Sequence, residues 1–452
     1  MCILVLIANK PSLSLMTSIS ARRPRSNMNL AKNTNVGILI PNDFRCPISL
    51  ELMKDPVTLP TGITYDRQSI ERWLETGSRT CPVSNKVLDE YATDEDIIIP
   101  NHSIRRMIQD WCVANQSFGI ERIPTPPIPI TLAIAVEMLT KIASAARDQD
   151  RNRCGILVRN LVASTKKCER NKRYIEGAGA DHVLATSFEV FAKDDSVVAE
   201  VESSKNVFFE EILSALTLVF PLDKEALRHI GSPESLDRIV SILKFGTIAG
   251  RLNAALVVKE LVSSGKECLV GGTQGLVQAL TKLIREPVSP QITKASLTGI
   301  YYMVSADEKL ASEFAEMNLV SLLVEKLVDL DKSTCEKVLA VLDGIFGSET
   351  GREKGREHVL TIPVLVKKMF RVSAMATEFA VSALWRLCKA LKEECLIEAV
   401  QVGAFQKLLL LLQVGCCEIT KEKVSELLKL MNGYRELECI ETMDFKGLKR
   451  SF

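Results

Sequence analysis

The sequence predicts a mainly α protein, a helical solenoid preceded by a small α+β domain. Three observations carry this. Beyond residue 131, aliphatic segments recur at a nearly constant spacing. Aromatic residues make up only 5% of a chain that is 46% hydrophobic, so Leu, Val, Ile and Ala supply the apolar mass, and with Lys and Glu they favour helices. Residues 42–116, finally, carry chain breakers, short apolar runs and two helix-like stretches of their own.

The spacing can be counted. Segments RCGILVRNL, EILSALTLV, NAALVVKEL, KASLTGIYYM, KVLAVLDGI, FAVSALWRL and VSELLKL register on Leu161, Val219, Leu261, Met303, Ile345, Leu387 and Leu430. The steps are 58, 42, 42, 42, 42 and 43. A period near 42 is that of a stacked helical repeat. The long first step is expected to hold a loop within FAKDDSVVAEVESSKN. Gly275, Asn318, Thr361 and Gly403 recur at 43, 43 and 42 and are expected to mark the turn before each repeat's next apolar helix. GAGADHVLA and GGTQG fit such turns, and neither follows a strand as a phosphate-binding loop would.

In the small domain, Pro56, Pro60 and Gly62 suit short strands and a hairpin. Asp66 is expected to cap the helix RQSIERWLET, and Gly77 to end it. Asn101 should cap HSIRRMIQDWCVA, whose Ile104, Met107, Ile108 and Trp111 are expected to form one buried stripe. A zinc site would need four ligands, usually entering as pairs. Cys46, Cys81, His102 and Cys112 are singletons, so no metal is expected. Polar contacts between the loops must then staple a domain of this size.

Charge and cysteine content bound the rest. The net charge is +1, with +5 in residues 1–41 and −4 in residues 42–116, which gives no global nucleic-acid or membrane signal. Thirteen irregularly spaced cysteines do not read as a disulfide framework, and a reducing compartment is expected, cytoplasmic and also nuclear. MCILVLIA lacks a preceding basic residue and reads as a tail rather than a signal. No stretch reaches the roughly 18 uninterrupted apolar residues of a membrane span.

FRCPISLELMKDPVTLPTGITYDRQSIERWL, CPVSNKVL and IIPNHSIRRMIQDWC together closely resemble the U-box, which is similar to a RING finger whose zinc ligands are replaced by polar contacts. Cys46 and Cys81 then read as small buried hydrophobes. The repeats resemble armadillo repeats, and the whole order resembles the plant U-box ligases. The expected layout is a basic tail (1–41), a U-box (42–116), a proline-rich semi-rigid linker (117–131), a right-handed armadillo-type solenoid (132–440) and a tail (441–452).

The resemblance implies an E3 ubiquitin-protein ligase without a covalent intermediate. It docks a ubiquitin-charged conjugating enzyme through Pro47, Ile48 and Leu50 of loop one, Trp73 of the central helix and Pro82 of loop two. Trp73 lies about 60° from Ile70 and about 100° from Leu74 around the helix, at the margin of the buried stripe. Asn85 stands where many such ligases place a basic residue that holds the carrier closed. The solenoid would hold a protein substrate. No Trp/Asn ladder stands before the repeat anchors, which disfavours nuclear import. Stress or immune signalling and a homodimer through the U-box are further implications; no cofactor is expected. The alternative is a non-catalytic armadillo scaffold with a weakened U-box.

Overall fold

A computed structural model describes residues 40–88, 97–125, 130–193, 202–265 and 274–437. The N-terminal tail through residue 39 (ARRPR included), the GGT of GGTQG and the C-terminal tail lie outside the described residues. The chain divides into two units at Pro126/Pro127.

The first unit is built on a three-stranded antiparallel sheet, β1 (Pro56–Thr58), β2 (Thr64–Asp66) and β3 (Ile99–Pro100), in the order β2-β1-β3. Val57 faces Tyr65 on one side and Pro100 on the other. Gly62, at φ +82°, closes the hairpin, a conformation that glycine adopts without a Cβ clash. Helix α1 (Arg67–Glu75) follows β2 directly and ends at Gly77, φ +83°. Helix α2 (His102–Ala114) is capped by Asn101, whose Oδ1 accepts from the Ile104 amide at 2.9 Å. Phe44, Tyr65, Ile70, Leu74, Ile97 and Ile108 close the core.

Three expectations for this unit are corrected. Asp66 occupies the N-cap of α1 but makes no side-chain cap bond; its Oδ1 accepts instead from the amides of Lys54 and Asp55, at 2.8 and 2.9 Å. A carboxylate that satisfies two loop amides across 11 and 12 residues outweighs a local cap. Met107 is 56% exposed, and Cys112 takes the buried position beside Ile108. The stretch 117–125 is not a plain spacer: Ile123 is buried in the core of this unit, Ile120 packs on it, and Arg105 donates to the Pro124 carbonyl at 2.9 Å.

The second unit is a stack. Its innermost helices follow one another in contact: Arg151–Thr165, Glu202–Leu218, Ile248–Ser263, Pro290–Ala306, Lys332–Ile345, Ala374–Gln401 and Glu418–Met431. Six of the seven repeat anchors are buried, as their spacing requires. Leu430 is the exception, 39% exposed, because Leu427 and Met431 face the last core layer. Asn318 (φ +59°) and Gly403 (φ +80°) make the expected turns, each in the left-handed conformation. Gly275 and Thr361, by contrast, lie inside the first turn of Gln274–Arg285 and Thr361–Lys368. The expected loop at 191–206 shrinks from both ends, since one helix runs to Lys193 and the next starts at Glu202. Nothing in the sequence breaks the chain between Ala374 and Gln401, so one repeat's last helix continues into the next repeat's first. No single described helix is long and apolar enough to cross a membrane.

Candidate functional site

The site residues sit on two loops built to one plan. In loop one, the Cys46 amide donates to the Glu51 carbonyl (2.9 Å) and the Leu50 amide to the Cys46 carbonyl (2.8 Å). In loop two, the Cys81 amide donates to the Lys86 carbonyl and the Asn85 amide to the Cys81 carbonyl, both at 2.9 Å. Leu50 and Asn85 both adopt positive φ, 60° and 52°. Each turn is closed by an antiparallel bridge, Arg45 with Leu52 and Thr80 with Val87. The sequence carries this duplication as CPISLE and CPVSNK. A zinc loop of the CxxC kind would place its second cysteine at Ser49 and Ser84. A search for CxxC pairs alone passes over it.

Hydrogen bonds do the stapling that metal would do. Tyr65 and Asp66, neighbours on β2, each reach a different loop. The Asp66 amide donates to Cys46 Sγ (3.3 Å), and its carboxylate holds the end of loop one. The Tyr65 hydroxyl contacts Cys81 Sγ (3.1 Å) and accepts from the Val83 amide (3.4 Å), while Thr61 donates to the same sulfur (3.3 Å). Arg67 pairs with Asp55 at 2.6 Å. The two cysteines are therefore buried acceptors as well as small hydrophobes. Among the described residues, no group of three or more His, Cys, Asp or Glu side chains could hold a metal ion.

Burial alone would push the Cys81 thiol up, but the hydroxyls of Ser84, Thr61 and Tyr65 aim at the sulfur and bring it down to about 6. Cys46 is also lowered: burial acts upward, and donors from Ser49, Asp66 and Ile48 outweigh it. A folded-state value below that of the unfolded thiol means that the unfolded chain binds more protons in between. Stability from Cys81 is complete above the unfolded value, about 8.5, and is lost as pH falls through about 6. Amide exchange across residues 44–88, corrected for its intrinsic pH dependence, is thus expected to slow between about pH 6 and about pH 8.5. Cys81→Ala should weaken that trend to what Cys46 contributes, and speed exchange throughout, by about 1–3 kcal/mol for the orphaned hydroxyls. An unchanged trend in the variant would assign it to another group.

The predicted docking residues divide by exposure. Pro47 and Asn85 are exposed, Ile48 is 37% and Leu50 69% exposed, and Trp73 and Pro82 are half-buried. A bulky side chain at positive φ costs of order 1–3 kcal/mol, so Leu50 is both strained and held out in solvent. Trp73 also serves the fold, since its Nε1 donates to the Thr80 carbonyl at 2.8 Å and fastens loop two to α1. Sequence reasoning missed Val83, which is 56% exposed. It is the loop-two counterpart of Ile48, and the duplicated hexapeptide was the signal that could have found it.

A pair of RING-like loops stapled by hydrogen bonds, before a helical-repeat solenoid, defines a U-box repeat protein. The U-box domain family matches residues 40–117, and the plant U-box protein ARM repeat region matches residues 135–449. The chain belongs to the plant U-box proteins with ARM repeats. It is 42% identical to U-box domain-containing protein 21 of Arabidopsis thaliana and 39% identical to U-box domain-containing protein 20, in each case over 92% of this chain and 94% of the relative. E3 ubiquitin-protein ligase PUB22 of the same plant is 32% identical over 89% of this chain and 97% of its own.

Proposed function

We propose that this chain is a U-box E3 ubiquitin transferase that docks a ubiquitin-charged conjugating enzyme on loop one, α1 and loop two, and that recruits its substrate through the armadillo repeats. Family membership and relatives named as E3 ubiquitin-protein ligases support the transferase. The observation that supports docking is the exposed aliphatic pair Ile48 and Val83, carried on twin turns that one strand holds in register.

Transfer without a covalent intermediate fits the buried thiols among the described residues; Cys417 is the exposed one. A nucleophilic cysteine must be an accessible thiolate. Burial pushes Cys154 up to about 12 and Cys395 up to about 11, and Cys81, though low, is fully buried. The ligase then supplies proximity and orientation while the substrate lysine attacks the carrier's thioester. Asn85 offers hydrogen-bond donors there without charge. Stress or immune signalling and a cytoplasmic or nuclear location belong to the same reading, through the family resemblance. Homodimerisation through the U-box does too, with Ile99 and Met107 exposed for it.

Self-ubiquitylation with activating enzyme, a panel of conjugating enzymes, ubiquitin and ATP tests the proposal. Wild type is expected to form ladders, Trp73→Ala none, and Trp73→Phe weaker ones, because phenylalanine keeps the ring and loses the bond to Thr80. No ladder from wild type across the panel would favour a scaffold with a decayed U-box.

A further inference from the structure

Along one edge of the solenoid lies a cavity of about 230 Å³ between the loop after helix Leu319–Lys326 and the end of helix Thr361–Lys368. Lys332, Lys367, Lys368 and Arg371 line it, with Cys335 and Leu330, and no carboxylate does. Lys368 is tied down, donating to the Val328 carbonyl at 3.3 Å and to Cys335 Sγ at 3.5 Å. Among the described residues, no carboxylate forms an ion pair with Lys332, Lys367 or Arg371. Two nearby acids are engaged elsewhere: Asp331 caps its own helix at Thr334 and pairs with Lys294, and Glu336 binds the Ser373 hydroxyl; Asp329 lines the adjoining cavity instead of the cup.

Lysines in a helix's last turn are ordinarily explained by the helix dipole. That accounts for Lys367 and Lys368, but not for Lys332, which opens another helix and converges on them and on Arg371 of the turn after Lys368. Like charges gathered in a concavity repel, and a compact dianion relieves the repulsion. Across Leu330 opens a second, mainly apolar cavity of about 560 Å³, lined by Ile284, Pro287, Leu323 and Val338 among others, with the carboxylates of Glu325, Asp329 and Asp331 also in its lining. A membrane surface would instead call for a flat cluster of basic residues. A small basic cup beside an apolar cleft suits a peptide that carries a charged group near an apolar side chain.

We propose that this edge recognises a phosphorylated serine or threonine on a partner protein, with an apolar residue of the same segment seated in the adjoining cleft. This deepens, and rests on, the reading that the solenoid recruits substrates. Phosphorylation would then make a protein a substrate by adding the charge that the cup lacks.

The test uses the full chain and an array of phosphoserine and phosphothreonine peptides with leucine or proline a few residues away, each with its unphosphorylated twin, read by fluorescence anisotropy. Phosphopeptides are expected to bind about tenfold tighter than their twins or better. Lys367→Ala/Arg371→Ala should abolish that advantage while self-ubiquitylation and helical content stay as in wild type; the milder Arg371→Lys should retain part of it. Equal affinity for the twins, no binding by any peptide, or an advantage untouched by the double variant would overturn the inference. So would binding to vesicles of phosphatidylcholine with phosphatidylserine but to no phosphopeptide. Self-ubiquitylation decides the ligase reading separately: ladders from a chain that shows no phosphopeptide preference leave that reading standing and sink only this one.

Discussion

Ile48→Ala is expected to reduce discharge of ubiquitin from the conjugating enzyme by about 30-fold or more, with the U-box still folded. The two halves of this expectation have separate causes. Ile48 is 37% exposed and lies outside the buried cluster, so truncation removes little core. An aliphatic anchor at the centre of a small docking face, in contrast, is worth about 2 kcal/mol or more, which is about 30-fold in occupancy below saturation. Val83→Ala, on the equivalent position of loop two, should act in the same direction with fewer methyl groups lost. Single-turnover discharge to free lysine, measured well below saturation, reads this directly, and amide exchange across residues 44–88 reports the fold. A discharge rate at the wild-type level would remove Ile48 from the docking face.

The second large effect is structural and lies in the solenoid. Gly351, in the first turn of helix Glu349–Glu357, packs on the end of Lys332–Ile345. A Cβ there would overlap the Ile345 carbonyl oxygen and stand only 2.8 Å from its carbon. The obstacle is backbone, which cannot rotate away as a side chain can. Gly351→Ala is therefore expected to lower solenoid stability by about 3 kcal/mol, seen as a lower denaturant midpoint with little change in slope. Gly177→Ala serves as the control, because a Cβ at Gly177 meets nothing within 4 Å and its φ is not positive. It should be neutral or slightly stabilising. An equally unaffected Gly351 variant would mean that these helices have room to part.

Between them these residues show where sequence information ends. Periodicity determined the stack: a period near 42 brings one aliphatic face back to the core in each repeat, and six of the seven anchors are buried because burying apolar area is what a repeat must do. The pattern does not record which way the last described α-helix is turned; there Leu430 stands exposed and Leu427 is buried. Local signals likewise determined the turn at Gly77 and the cap at Asn101, since both act within about four residues. Asp66 carries the same cap signal, yet its carboxylate holds loop one, because two amides 11 and 12 residues away are left without partners unless it turns to them. The motifs marked the two loops and most of the proposed docking face. Only the tertiary structure decided that Trp73 also fastens loop two, that Leu50 is held outward at positive φ, and that Lys332 meets the three cations of residues 367–371 in one cup. Such properties depend on which unsatisfied groups and like charges the fold brings together, and sequence spacing does not record that.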